Sequence, residues 1–387
     1  MNEFITSNID SESSKIPPKT VAELLDEYVP EIGENGKPRG HLMRMKMVNG
    51  EAETKKVSSP FRKSKTAESE VIATGLVKIC TNPSSPVEMA GEEEVEHSYV
   101  RREVEEHGSE VVICERIPPD GDDWIQDEEM PVFPELQDPF HCGYVDGYQI
   151  FGGVKISTKE DGELEWRTVF YKYKNSMKEL KSADEALVEP FCTGPLGMKD
   201  IRILQLHYDE KHPENNKIAV FTRPQHGEGK FGGSGRIGYF EINNLSQLEG
   251  ALEKHDQESD PKSLIDGMFH EKEWGGANQL HNLKDGRIGV IGHIARVNED
   301  TTSANYGVKD YYATAFIFDP VSRTFSDLKI IASAEDFPEV EGKKKDIGSV
   351  VFSGGIKRLG NGRAIFYCGV KDVEAGYLPI EDPFGDL

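Results

Sequence analysis

From Val77 to the C-terminus, apolar and polar residues alternate in short runs, punctuated by Asp146-Gly147, Asp161-Gly162, Asp285-Gly286 and Asn361-Gly362. A period of two sets alternate side chains on opposite faces of a strand. Asp-Gly and Asn-Gly between such runs are hairpin signals, because both residues tolerate positive φ. The regular helix–strand alternation of a parallel α/β fold does not occur here. Only 175–188 and 244–258 read as short helices or helical turns. Ahead of the strands, Thr20 to Glu23 reads as a capping box. Val21, Leu24, Leu25 and Tyr28 then form an apolar stripe that Pro30 terminates, a helix expected to dock on the body. The chain is thus expected to divide into a disordered tail (1–18), a helix and docking segment (19–76) and an all-β domain (77–387). The Gly-rich and Lys/Arg-rich stretch 33–70 predicts one or two strands among loops.

Within the β domain one strand–turn–strand phrase recurs five times, each copy entered through polar or small residues. The entry points are Asn82, Asp138, Asp200, Asn278 and Gly354, separated by 56, 62, 78 and 76 positions. A repeated unit that cannot bury its own faces must stack on its copies. Radial stacking of small antiparallel sheets gives a propeller, so five copies predict five blades. Equivalent strand starts then converge at one end of a central channel, where Asp, Lys, Arg, Asn and His form a polar funnel.

Composition narrows the partners. The formal net charge of -24 opposes nucleic acid and anionic membranes. An anionic ligand therefore needs a local cluster of Lys, Arg and His. The opening MNEFITSNIDSESSK lacks the basic-then-apolar pattern of a signal peptide, and no apolar run is long enough to cross a bilayer, which reads as cytoplasmic. Cys80, Cys114, Cys142, Cys192 and Cys368 lie far apart without metal-ligand spacing and read as reduced thiols. Nothing in the sequence calls for a metal. Gly233 to Gly238 matches G-x-G-x-x-G, but it precedes the strand YFEI where a dinucleotide site needs a helix. It reads as a blade connection, with 232–235 a candidate flap over the funnel.

The funnel carries one well-presented carboxylate and several cations. Pro139 fixes the backbone after Asp138. Lys199, Asp200 and Arg202 form the second entry, with alternation placing Asp200 and Arg202 on one face and Lys199 on the other. Arg223 ends the same hairpin. Small residues around Gly276 permit close approach to Asn278. His281 and His293 lie at opposite ends of one hairpin and are expected at the same end of the blade. An inverting hydrolase needs an acid and a second carboxylate to activate water. A phosphorolytic enzyme needs only the acid, because phosphate is the nucleophile and cations position it. The inventory favours phosphorolysis, while Glu105, Asp200 and Asp372 keep hydrolysis open; a non-catalytic sugar-binding propeller is the third alternative.

The blocks ELQDPF, TGPLGMKDIR, FTRPQ, EWGGANQLHNLKDGRIGVIGHIA and DIGSVVFSGG closely resemble a family long catalogued as a domain of unknown function. That family is similar to the five-bladed β-1,2-mannoside phosphorylases (glycoside hydrolase family 130) and to the mannosyltransferase/phosphorylases of glycosyltransferase family 108. The resemblance covers roughly residues 75–385. It implies reversible, inverting phosphorolysis or transfer of β-1,2-linked mannose, with a mannoside oligosaccharide and inorganic phosphate or mannose 1-phosphate as partners and no further cofactor. It implies Asp138 as general acid and Lys199, Arg202, Arg223, His281 and His293 as phosphate ligands. It places Asn82, Arg101, Glu105, Gln137, Asp200, Gly276, Asn278 and Asp372 on the sugar. In the first repeat, relatives show a Tyr-Asn pair and an Arg-Val-Glu triplet where this chain has Cys80-Thr81-Asn82 and Arg102-Glu103-Val104-Glu105. Glu103 takes the family's Arg position, and Arg101, on the same strand face, is the substitute.

Overall fold

A computed structural model of the chain describes residues 19–46 and 80–385, except 34, 90–91, 105–107, 118–122, 159–161, 163, 175–176, 183–187, 225–234, 259–263, 266, 300–305 and 343–346. The expected tail 1–18, Glu105 and the candidate flap 232–234 therefore lie outside the described residues. Among those described the chain is mostly β, as the alternation predicts.

Five antiparallel units follow in chain order. The first is built on Glu92–Val104, Gly108–Ile117 and Asp123–Gln126, and the second on Leu136–Val145, Tyr148–Thr158 and Leu164–Tyr173. The third comprises Arg202–His207, Lys217–Thr222 and Gly238–Ile242. The fourth comprises Glu273–Asn282, Ile288–Val297, Lys309–Asp319 and Thr324–Ala332. The fifth comprises Ile347–Arg358, Arg363–Val370 and Glu374–Glu381. By hydrogen bonding these units make four sheets, because Lys309 and Tyr311 pair in parallel with Ile347 and Val350 and fuse the last two.

Apolar clusters lie between successive units. Tyr99 and Val111 of the first unit pack on Phe151 and Tyr171 of the second, with Tyr99 and Phe151 stacked at 4.6 Å. Phe140 and Phe170 meet Ile203 and Val220, and Phe221 and Tyr239 meet Val290 and Phe318. Ile291 and Ala315 pack on Val351 and Phe366, and Tyr367 returns to Val100, Val112 and Trp124. Each face that a unit cannot bury alone is thus covered by its neighbour, and the last unit touches the first. Burying one such side chain is worth about 1.5–3 kcal/mol.

The N-terminal segment laces this arrangement. Thr20 caps helix Val21–Glu27 in the expected capping box, and Val21 and Leu24 pack on Ile294, Tyr312 and Ile330 of the fourth unit. Asp336 accepts hydrogen bonds from the Tyr28 hydroxyl and the Glu31 amide. His41–Leu42 then adds an antiparallel strand to Glu374–Glu381, and Arg44–Lys46 pairs in parallel with Asp123–Ile125 of the first unit. Both lie in the stretch 33–70 where one or two strands are expected, of which residues 47–70 fall outside the described residues.

Candidate active site

The entry residues share a backbone device. Asn82, Asp138 and Asp200 adopt φ of 51°, 48° and 59°. Asn and Asp are the non-glycine residues that enter this left-handed region at least cost. At Asn278 and Gly354 the register shifts instead, between Ala277 and Gln279 and between Ser353 and Gly355. A bulge or left-handed residue interrupts the alternation and re-aims one side chain. Lys371 and Asp372, the turn after Arg363–Val370, also have positive φ.

On one side of the site these residues meet around a guanidinium. Asn82 Nδ2 donates to Asp138 Oδ1 at 2.9 Å and lies 3.4 Å from Asp372 Oδ1. Arg101 Nη2 contacts Glu103 Oε1 at 2.5 Å, while its Nη1 lies 3.5 Å from Asp138 Oδ1 and 3.9 Å from Asp372 Oδ1. Burial works against the Arg101 charge, but Asp372, Asp138 and Glu103 outweigh it and raise its pKa above the ordinary arginine value. Arg101 is thus placed with the sequence-derived acid, and Glu103 is its closest carboxylate. The Asp138 side chain retains 18% exposure, accessible to a ligand while held by Asn82.

A second cluster is built on Asp200. Its Oδ2 accepts from Arg223 Nη1 at 2.6 Å and lies 4.0 Å from His293 Nε2. His293 Nδ1 is 2.8 Å from Asn278 Oδ1. Gly276 sits opposite His293, and a Cβ there would lie 2.9 Å from Asp200 Oδ2 and 3.0 Å from His293 Cε1. The small residue makes room for protein side chains at this point. Burial raises the Asp200 pKa, but Arg223, His293, Lys199 and Arg202 together pull it far below the carboxylate range. Burial lowers His293 to about 3, only partly opposed by Asp200. At neutral pH the site therefore holds a charged Asp200 and a neutral His293. The buried Arg223 Nε has no hydrogen-bond partner among the described residues.

Two sequence expectations are corrected by this geometry. Strict alternation from Lys199 to Arg202 fails, because Asp200 is left-handed and the strand starts at Arg202. Asp200 accordingly faces Arg223, whereas Arg202 stacks over the Phe140 ring at 3.7 Å and donates to the Asn278 and Ile201 carbonyls. Arg202 holds the entry loops together from behind. Lys199 is half-buried and takes part in no hydrogen bond or ion pair among the described residues.

The second correction concerns His281 and His293, which do not share an end of their blade. His281 pairs with Gly289 and His293 with Gly276. The tight turn at Asp285-Gly286 centres the hairpin two residues before the midpoint of the histidines, so they stand four residues apart, about 13 Å along the strand. His281 belongs instead to a deeper network: its Nε2 is 2.9 Å from Gln279 Oε1, which also accepts from the Ile356 amide at 2.7 Å. Gln279 Nε2 donates to Ser85 Oγ, which lies 2.9 Å from His141 Nε2. Burial lowers His281 to about 3 and His141 to about 4. This tier was not foreseen, yet it has a signal: Ser85, His141 and His281 each follow an entry residue by three positions.

Gln137 is half-buried beside Asp138 and its side chain makes no hydrogen bond among the described residues. The one grouping of metal-ligand type among the described residues, His97, Glu115 and Asp127, lies in the first unit, and the Lys181 ammonium stands 2.9 Å from Asp127 Oδ2. Cys114, Cys142, Cys192 and Cys368 are free thiols. No helix among the described residues is long and apolar enough to cross a membrane.

Solved structures resemble this arrangement. A mannose phosphorylase from Leishmania mexicana, in complex with phosphate ion, is 27% identical with a TM-score of 0.64, covering 83% of this chain and 93% of that one. A GDP-Man-dependent mannosyltransferase from Leishmania mexicana is 26% identical with a TM-score of 0.61, covering 79% and 87%. A hypothetical protein from Leishmania major shares the fold at 24% identity and a TM-score of 0.58, covering 83% and 95%. No curated protein matches the sequence. Residues 68–386 match the family described as Protein of unknown function (DUF1861), and the chain belongs to that family.

Proposed function

We propose that this protein is a five-bladed propeller enzyme that moves mannose reversibly between a β-1,2-linked mannoside and inorganic phosphate. The observation that carries the reading is the convergence of the entry residues. Asp138 is restrained by Asn82 and stands beside Arg101, and Asp200, Arg223 and His293 form a second cluster at the next entries, in a fold like that of a mannose phosphorylase.

In this reaction a phosphate oxygen forms a bond to the anomeric carbon from the face opposite the leaving group. The glycosidic C–O bond breaks, and Asp138 supplies the proton to the leaving oxygen, directly or through a substrate hydroxyl. The products are mannose 1-phosphate and the shortened mannoside. Lys199 and Arg223 hold the anion. Asp200 Oδ2 and the neutral His293 Nε2, 4.0 Å apart, are both acceptors, so each suits a sugar hydroxyl that donates to it. Asn82, Asp372 and Asn278 orient sugar hydroxyls, and positioning of this kind supplies much of the rate enhancement.

One observation favours a second reading. Glu103 places another carboxylate against Arg101, and a surplus carboxylate suits activation of water, as in an inverting hydrolase. Products decide between them: mannose 1-phosphate formed only with phosphate supports the phosphorylase, and free mannose in either buffer supports the hydrolase. Asp138→Asn is expected to lower kcat by about 10²–10⁴ without changing the melting temperature. A fully active variant refutes the role of Asp138.

A further inference from the structure

In the fourth unit Trp274, Ala295 and Tyr311 stand level on adjacent strands, and Gly276, His293 and Ala313 stand level two residues along. No register shift separates the two rows, so Trp274 and Tyr311 share the face of His293. Their rings meet edge to face, with centroids 5.9 Å apart and planes at 81°, and the Tyr311 ring lies 6.1 Å from the His293 ring. Ala295 between them and Gly275 and Gly276 beside Trp274 add little or no side chain to the corner. Both aromatics are half-buried, and neither the indole N–H nor the phenol hydroxyl makes a hydrogen bond among the described residues.

We propose that Trp274 and Tyr311 form an aromatic corner that binds a pyranose of the oligosaccharide beyond the bond being broken. The assignment rests on the mannoside reading above. Two rows on one strand face are spaced by about 7 Å, the scale of one sugar ring. A residue stacked on the corner would therefore sit one ring outward from the Asp200–His293 pair. Sugar C–H faces pack on aromatic faces, while the free N–H and O–H tips meet hydroxyls at the rim. The corner gives the enzyme a preference for chains longer than a disaccharide.

The test compares β-1,2-mannobiose with β-1,2-mannotriose as substrates, at saturating inorganic phosphate, for the full chain and for Trp274→Ala, Tyr311→Ala and Trp274→Phe. Truncation to alanine is expected to raise KM for the trisaccharide by about ten-fold or more, the effect of removing an aromatic anchor. The disaccharide KM and both kcat values stay within about threefold, below the 1.4 kcal/mol of a tenfold change, and Trp274→Phe restores most of the loss. Equal KM changes for both substrates, or none, overturn the corner. Absence of turnover by the unaltered protein overturns the mannoside phosphorylase reading instead. In that case tryptophan fluorescence with mannotriose judges the corner alone. A saccharide-dependent change lost in Trp274→Phe supports it, and no change overturns it.

Discussion

Breaking the Asp200–Arg223 pair is predicted to destabilise the fold markedly, and removing both charges is predicted to cost less than the two single changes together. The pair spans 2.6 Å, with side chains 6% and 2% exposed. Removing one partner leaves a buried charge without its counter-ion, which costs about 3–5 kcal/mol. In Asp200→Asn the stranded group is Arg223, whose Nε already lacks a partner. In Arg223→Met it is Asp200, left with weaker support from Lys199 and Arg202. At about 2.1 cal/mol/K of unfolding entropy per residue over 387 residues, a loss of about 4 kcal/mol lowers Tm by about 5 °C. The double variant Asp200→Asn/Arg223→Met strands neither charge, so the cycle should show a coupling of about 2 kcal/mol. Differential scanning calorimetry and urea unfolding of all four proteins measure it. Single losses below about 1 kcal/mol, or strict additivity, would refute the argument that burial makes this pair matter.

Other consequences are as direct. Gly276→Ala pushes a methyl between Asp200 and His293 and should cut kcat by about 100-fold while Tm falls by only a few degrees; an unchanged rate contradicts the packing described. Gln279→Leu orphans the Ile356 amide and breaks the links to Ser85 and His281. Its expected cost of about 2–4 kcal/mol is read by urea denaturation. His141, His281 and His293 are neutral in the fold, with pKa values lowered to about 4, 3 and 3, whereas unfolded histidines take up protons near 6.5. Their stabilisation is complete above pH 6.5 and is lost as pH falls toward 4, by about 1.4 kcal/mol per pH unit per histidine. Tm measured from pH 7 to 4.5 should decline, with a shallower slope in His281→Gln, and a flat profile contradicts the assignment.

Much of the fold is legible in the sequence because single residue types serve both backbone and chemistry. Asn82, Asp138 and Asp200 tolerate the left-handed bend and also present a polar group, so the repeat that marks the strand starts also marks the candidate site. The capping box at Thr20 and the hairpin at Asp146-Gly147 are local signals of the same kind. Register is less legible. The expectation for His281 and His293 failed through a two-residue displacement of the hairpin centre, which no property of either histidine reports. The bend at Asp200 likewise reversed the face expected of Arg202, and the parallel pairing that fuses the last two units depends on contacts distant in sequence. Arg101, on the strand face of Glu103, lies 3.5 Å from Asp138 and 3.9 Å from Asp372. The lacing of the fourth, fifth and first units by residues 20–46 has no counterpart in the repeat pattern.

The most direct test of the account is incubation of the purified protein with β-1,2-mannobiose, with and without inorganic phosphate, followed by chromatographic assay of mannose 1-phosphate and mannose. Phosphate-dependent mannose 1-phosphate, absent in Asp138→Asn, is the predicted result. Free mannose released equally in both buffers, or mannose 1-phosphate formed undiminished by Asp138→Asn, would contradict it.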